Sequence, residues 1–247
     1  MRIPRLYYPH TISTGETLEL GKEATHYISR VLRLKEGSSI VLFNGQGGEY
    51  SATLQQVQKS NSLATIEKFT DPQTDALLPI HLVQGISRGE RMQYVIQKAV
   101  ELGATSLQPV FTEFCEVKLT GDRAEKRQEH WQSIANSACE QCGRTRIMKI
   151  HPAVKLTQWF SNRPETTKGH IRLTLDPYSN TPLSDIANQP KEVTLLIGPE
   201  GGLSNVEITL AKQQGFQGIK LGPRILRTET ATAAAISAIN LTWGDWR

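Results

Sequence analysis

The sequence predicts an α/β protein in which a small β-barrel or sandwich precedes a parallel sheet flanked by helices. Three observations carry this. Residues 1–70 hold closely spaced apolar runs punctuated by Gly and Asn turns, the pattern of short strands. Residues 71–79, Asp-Pro-Gln-Thr-Asp-Ala-Leu-Leu-Pro, read as a linker, because two prolines bracket a largely polar stretch. From residue 80 onward short apolar runs alternate with helical patterns, which calls for a parallel sheet with helices on its faces.

In chain order, the run Ile40-Val41-Leu42-Phe43 is a strand that ends in the turn Asn44-Gly45-Gln46-Gly47-Gly48. Residues 49–57 and 63–69 are strands around a turn at 59–62. Ala24, Tyr27, Ile28, Val31 and Leu32 recur at helical spacing, so one helix interrupts the strands. Beyond the linker, 80–84 is a strand. Residues 90–102 are a helix with Met92, Ile96, Ala99 and Val100 on one face and Gly103 as its stop. Residues 107–111 form the next strand, and 122–142 a long helix with Asp122 as cap and Glu125 three residues on. Residues 171–175, 193–197 and 218–221 are further strands. Ser204 with Glu207 is a capping box that opens a helix ending at Gly215, and 229–241 is the last helix.

Length and charge bound the rest. At roughly 150 residues per domain, 247 residues make one or two domains, drawn here at 1–72 and 73–247. Lys and Arg number 28 against 24 Asp and Glu, a net charge of +4, compatible with a polyanionic partner without naming one. Three cysteines build no disulfide framework, and an odd number fits a reducing compartment. No apolar run approaches the ~20 residues of a membrane span. Residues 1–10 carry arginines with no apolar stretch behind them, which argues against a secretory signal. A cytoplasmic location is the expectation.

The strongest local motif is Leu195-Leu196-Ile197-Gly198-Pro199-Glu200-Gly201-Gly202-Leu203-Ser204. An apolar strand enters a glycine-rich loop and then a capped helix. Glycine lets main chain approach a ligand closely, and a helix start offers N–H donors. The glycine spacing fits neither a Walker loop nor a dinucleotide fingerprint. A second strand-to-helix loop is Leu221-Gly222-Pro223-Arg224-Ile225-Leu226-Arg227-Thr228-Glu229-Thr230. Two such loops in one sheet converge on one ligand at the carboxyl ends of the strands. The bland alternatives are tight turns and a solvated charge cluster.

Other features are weaker. Gly85-Ile86-Ser87-Arg88-Gly89 matches the nucleophile-elbow pattern, so a serine hydrolase using Ser87 is one alternative. It lacks a matching histidine and acid in a convincing context. Cys139-Glu140-Gln141-Cys142 has no second pair with which to build a zinc site, and two thiols on a helix is the better reading, so no metal is expected. Arg2, Arg5, Tyr7, Tyr8, Arg30, Arg33 and Lys35 mix charge and aromatics in a way that suits phosphate contacts and base stacking, and Arg144, Arg146 and Lys149 add a short basic patch; for either cluster alone an ordinary solvated surface is the better reading.

These segments taken together resemble the RsmE family. The resemblance rests on Met-Arg-Ile-Pro-Arg at the start, Arg30-Val31-Leu32-Arg33, Ile96-Gln97-Lys98-Ala99-Val100-Glu101-Leu102-Gly103, and Ala138-Cys139-Glu140-Gln141-Cys142-Gly143-Arg144. It rests also on the two glycine loops at 197–202 and 221–230. It covers essentially the whole chain in order. It implies an N-terminal PUA-like β-barrel domain that helps hold RNA, and a C-terminal SPOUT α/β domain with a trefoil knot. It further implies a homodimer, S-adenosyl-L-methionine as cofactor, and methylation of N3 of a uridine in the decoding region of 16S rRNA in the small ribosomal subunit. The expected cofactor-binding residues are Leu175, Asp176, Pro177, Ile197, Gly198, Pro199, Glu200, Gly201, Gly202, Leu221, Gly222, Ile225, Leu226, Arg227, Thr228 and Thr230. Glu200, Arg224, Arg227 and Glu229 are the catalytic candidates, and Arg2, Arg5, Arg30, Arg33 and Arg144 the RNA-binding ones. The rival within the same fold is a non-catalytic RNA-binding ribosome-assembly factor.

Overall fold

A computed structural model describes residues 3–58, 61–163, 167–176, 178–186 and 189–246. The chain forms two compact units. One comprises Met1–Asp75 with Cys139–Ile147, the other Ala76–Ala138 with Met148–Arg247.

The first unit is a five-stranded sheet of β1 (Arg5–Tyr7), β2 (Thr17–Leu20), β3 (Ser39–Phe43), β4 (Glu49–Val57) and β5 (Ser62–Thr70), in the order β1-β3-β4-β5-β2. β1 runs parallel to β3 and the other pairs are antiparallel. Alternation along β4 and β5 turns Ala52, Leu54, Ala64 and Ile66 inward onto Leu6, Ile12, Leu20, Ile40 and Leu42. Two register shifts in the β4–β5 pair bend the ribbon, as bulges do.

The helical spacing at 24–32 forms a short α1 (Lys22–His26) that widens at once into a π-helical turn, Tyr27–Val31. There the Leu32 N–H donates to the Tyr27 carbonyl at 2.9 Å. Ile28 anchors the turn in the core, so Tyr27, Arg30 and Val31 stay exposed. Arg33 follows at φ 54°, a left-handed conformation that a non-glycine residue rarely adopts.

Residues 139–147 are stitched onto this unit by polar contacts. The Arg5 guanidinium donates to the carbonyls of Cys139 (2.8 Å), Glu140 (3.3 Å) and Arg144 (3.2 Å) and to the Glu49 carboxylate (2.9 Å). The Tyr7 N–H donates to the Glu140 carboxylate at 2.8 Å. Burial nonetheless pushes the Glu140 carboxyl above its ordinary range, against the pull of that N–H and of Arg5. Asp75 accepts from the Thr145 hydroxyl (2.6 Å), the Arg146 N–H (3.1 Å) and the Arg144 guanidinium (3.5 Å).

The second unit holds β6 (Ile80–Gly85), β7 (Ser106–Phe111), β8 (Lys149–Ile150), β9 (Val154–Lys155), β10 (His170–Leu175), β11 (Glu192–Ile197) and β12 (Gln217–Ile219). They make an all-parallel sheet in the order β12-β10-β11-β6-β7-β8, with β9 paired to β7. The helices are α2 (Gly89–Glu101), α3 (Asp122–Cys142), α4 (Leu156–Asn162), α5 (Asn205–Gln213) and α6 (Thr228–Trp243). The central strands are buried on both faces, which is why β6 and β11 read as nearly continuous apolar runs. Val83, Val110, Leu156, Phe160, Leu196, Ala211 and Phe216 form one core beside the sheet.

Sequence periodicity missed α4, β1, β2, β8 and β9. α4 has seven residues, and only Leu156 and Phe160 are buried, so its period never accumulates. Among the described residues no helix is long and apolar enough to cross a membrane.

Candidate active site

β12, β10 and β11 are neighbours in the sheet, so the loops leaving their carboxyl ends lie side by side. These loops, with the start of α6, enclose a cavity of about 440 Å³. Of the residues singled out from sequence, it is lined by Leu175, Asp176, Ile197, Gly198, Pro199, Glu200, Gly201, Gly202, Leu221, Gly222, Arg224, Ile225, Leu226 and Thr228. Arg227, Glu229 and Thr230 stand at the start of α6 outside the lining. Pro177 lies outside the described residues.

The glycines are needed by packing. A Cβ on Gly198 would sit 2.6 Å from the Gly202 carbonyl carbon and 2.8 Å from the Leu203 nitrogen, so the loop folds back on its own main chain there. A Cβ on Gly201 would meet the Phe114 side chain at 2.7 Å. Phe114 therefore closes one wall of the cavity, and nothing in its sequence context announced that.

The loop passes into α5 through the capping box read from the sequence. The Ser204 hydroxyl accepts the Glu207 N–H (3.3 Å), and the Glu207 carboxylate accepts the Ser204 N–H (2.9 Å). The second Glu207 oxygen accepts the Glu113 N–H at 2.8 Å, which ties down the segment carrying Phe114. Two N–H donors expected to face a ligand are thus engaged within the protein.

Asp176 is 5% exposed. It accepts the Tyr178 N–H at 3.0 Å, and Lys212 stands 3.4 Å from its other oxygen. Glu200 accepts the Arg88 N–H and the Arg91 guanidinium, both at 3.0 Å. Burial works to raise the Glu200 carboxyl. The N–H groups of Arg88 and of Glu200 itself, with the Arg91 bond and charge, outweigh it and hold the group below the ordinary carboxylate range. The Arg88 and Arg91 bonds both fall on one Glu200 oxygen, Oε1. Glu229 differs, because one of its oxygens is buried with no hydrogen-bond partner. The Arg91 charge feels both carboxylates.

The segment that matched a nucleophile elbow therefore has another role. Arg88 and Arg91 hold the glycine loop, and Arg88 also pairs with Glu116. Ser87 is 2% exposed, and its hydroxyl has no hydrogen-bond partner, so no histidine is placed to take its proton. The hydrolase reading fails on that geometry. Cys139 is buried and Cys142 half-buried on α3, and among the described residues no group of three or more His, Cys, Asp or Glu side chains could hold a metal ion.

The arginines expected to hold RNA divide into two classes. Arg30 and Arg33 are exposed on the first unit. Arg5 and Arg144 have side chains only 8% exposed and are committed to the internal bonds described above. Arg2 lies outside the described residues.

Comparison with known proteins finds a match for each part of the chain. Residues 74–240 match the family model of an RNA methyltransferase domain, and residues 20–67 that of an RNA methyltransferase PUA domain. Ribosomal RNA small subunit methyltransferase E of Buchnera aphidicola subsp. Schizaphis graminum is 36% identical over 244 residues, covering 99% of this chain and 98% of its own. The solved structure of the Neisseria gonorrhoeae protein of that name, bound to S-adenosyl methionine, superposes with a TM-score of 0.93 at 36% identity, over 100% of both chains. A putative methyltransferase from Legionella pneumophila, in complex with bound SAM, gives 0.94 at 39% identity, over 99% of this chain and 100% of its own. The N-terminal sheet is thus a PUA domain and the C-terminal parallel sheet an RNA methyltransferase domain. With its loops, its sheet and its full length all matched, the chain belongs to the ribosomal RNA small subunit methyltransferase E family.

Proposed function

We propose that this chain transfers a methyl group from S-adenosyl-L-methionine to N3 of a uridine in the decoding region of 16S rRNA, in the small ribosomal subunit, and that it works as a cytoplasmic homodimer. The observation that carries the reading is the cavity formed where three adjacent strand-end loops meet, closed by glycine main chain.

The cavity fits the donor. Its volume of about 440 Å³ lies within the ~300–1,000 Å³ of small-molecule sites. Leu175, Ile197, Leu221 and Leu226 offer apolar walls to an adenine, and loop main chain offers its polar groups to the ring edge. In this reading Asp176, Gly198, Pro199, Glu200, Gly201, Gly202, Gly222 and Ile225 complete the seat, with Thr228 at its α6 side and Arg227 and Thr230 just outside the lining. S-adenosylmethionine supplies a methyl group on a positively charged sulfur.

The protein's tasks are orientation and charge. Uridine N3 carries a proton and is a poor nucleophile until that proton leaves, so a cation beside the ring promotes the reactive anion. Arg224 lines the cavity and is exposed, in position for that role. Its hydrogen bonds and the Arg91 charge lower the Glu200 carboxyl, which makes it a weak proton acceptor. Glu229 is the carboxylate that keeps an oxygen without a partner. The target base leaves its stack so that N3, methyl and sulfur come into line.

Domain 1–72 holds RNA in this scheme and domain 73–247 carries the transfer. Arg30 and Arg33 grip phosphates, with the exposed Tyr27 and Val31 beside them for unstacked bases. Arg5 and Arg144 instead hold residues 139–147 within the first unit.

The test is mass mapping of 16S rRNA from cells with and without the protein, and of purified small subunits treated with protein and donor. An N3-methyluridine that appears only with the protein is the expected result. Subunit binding with no methyl transfer under either condition sinks the enzyme and leaves the assembly factor.

A further inference from the structure

Behind the glycine loop lies a buried polar side chain that the methyl-transfer scheme above does not use. Gln84, the penultimate residue of β6, is fully buried. Its Nε2 lies 3.0 Å from the Gly85 carbonyl, 3.3 Å from the Gly198 carbonyl and 3.0 Å from the Thr228 hydroxyl oxygen. Its Oε1 accepts the Thr232 hydroxyl at 2.8 Å. Thr228 in turn donates to the Gly198 carbonyl at 2.7 Å, and the Thr232 hydroxyl also lies 2.9 Å from the Thr228 carbonyl.

We infer that Gln84 is a positioning residue that fixes the glycine loop and the start of α6 to one strand, so that two walls of the donor cavity are set together. Gly198 and Thr228 both line the cavity, yet they lie thirty residues apart in sequence and on different elements. Glycine makes the loop able to fold back on itself and equally able to relax out of that shape. Its carbonyl needs a fixed donor, and the Gln84 amide supplies one from the rigid centre of the sheet. The amide has one usable orientation. Turned over, its oxygen would face the carbonyl oxygens of Gly85 and Gly198, while its NH₂ met a threonine hydroxyl. A close main-chain contact supports the same link, since a Cβ on Gly85 would meet Pro199 at 2.4 Å.

This inference rests on the methyl-donor reading of the cavity, and its test separates the two. Gln84→Leu removes both polar ends of the side chain at similar size. Thr232→Val removes only the donor to Oε1 at nearly constant volume and serves if Gln84→Leu does not fold. Phe160→Leu, in the α4 core, is the control for general loss of stability. Three quantities are read on the full chain: amide exchange of residues 197–204 and 228–232 without donor, S-adenosylmethionine affinity by calorimetry, and RNA affinity.

The expected result for Gln84→Leu is faster exchange in both segments, about tenfold weaker donor binding and unchanged RNA affinity. Thr232→Val shifts the first two in the same direction by less, and Phe160→Leu lowers Tm without touching them. Parent-like exchange and donor affinity in both Gln84→Leu and Thr232→Val overturn the inference, as does an equal loss in Phe160→Leu. A parent chain that binds no donor overturns the methyl-transfer reading, and the exchange data then decide the role of Gln84 by themselves.

Discussion

In the second unit the glycine loop that lines the cavity packs main chain on main chain: Gly198 folds against Gly202, and Gly85 admits Pro199. In the first unit the exposed basic face is made of side chains, Arg30 and Arg33 beside Tyr27 and Val31, on a π-helical turn anchored by Ile28. The two fail in different ways. A site built of main chain tolerates no added atom at its closest approaches, while a site built of long side chains weakens by degrees as each one is removed. A third group belongs with neither, since Arg5 shares the composition of the basic face but has the burial of a core residue.

Four experiments sharpen or break this contrast, from the largest expected effect to the smallest. Gly198→Ala places a methyl group against main chain and should weaken donor binding about a thousandfold, ~4 kcal/mol. Calorimetry showing parent-like affinity would mean the loop is not a wall of the site. Arg5→Ala removes the donor shared by three carbonyls and Glu49, and should lower stability by about 3 kcal/mol. Chemical denaturation reads this, and the folded fraction should keep its RNA affinity. A variant of full stability that loses RNA would move Arg5 onto the binding face.

Arg30→Ala with Arg33→Ala should reverse that pattern, leaving Tm alone and weakening RNA binding about tenfold, ~1.4 kcal/mol. The salt dependence should flatten by about 0.7 in slope for each RNA phosphate that the variant no longer neutralises. Equal slopes in parent and variant would remove these arginines from the interface. The smallest effect belongs to Glu200. Its carboxyl lies lower in the folded chain than its ordinary value, because its hydrogen-bond donors and Arg91 outweigh burial. Its contribution to stability is therefore present in full above the unfolded value and lost as pH falls through the folded one. Glu200→Gln should show a shallower rise of Tm as pH climbs through the carboxylate range, and the parent's slope at neutral pH. Matching profiles would mean that the Arg88 and Arg91 bonds contribute nothing to stability.

Much of the fold was legible because strong local signals agree with the tertiary structure. The buried runs at β6 and β11, the 21-residue α3 and the capping box at Ser204 were all read from the chain. Short elements escaped. β8 and β9 have two residues each and exist only because β7 pairs with them. The helix at 24–32 was read as one element, and its change of period follows from Ile28 seeking the core. At the site, the glycine loops stood out because glycine density has few other causes. Gln84, Arg91 and Phe114 did not, since each acts on a residue about ninety to a hundred and fifty positions away. No spacing rule connects such residues before the sheet is assembled.

The double engagement of Glu207 has a consequence for which adenine-bearing molecules the cavity accepts. Many nucleotide sites seat a phosphate on the bare start of a helix. Here that start is occupied by the protein's own carboxylate, which stops the N–H of Ser204 with one oxygen and that of Glu113 with the other. With that seat taken, a triphosphate tail is left without the helix-start donors that hold it elsewhere. ATP should therefore be a poor competitor for this cavity even though it presents the same purine.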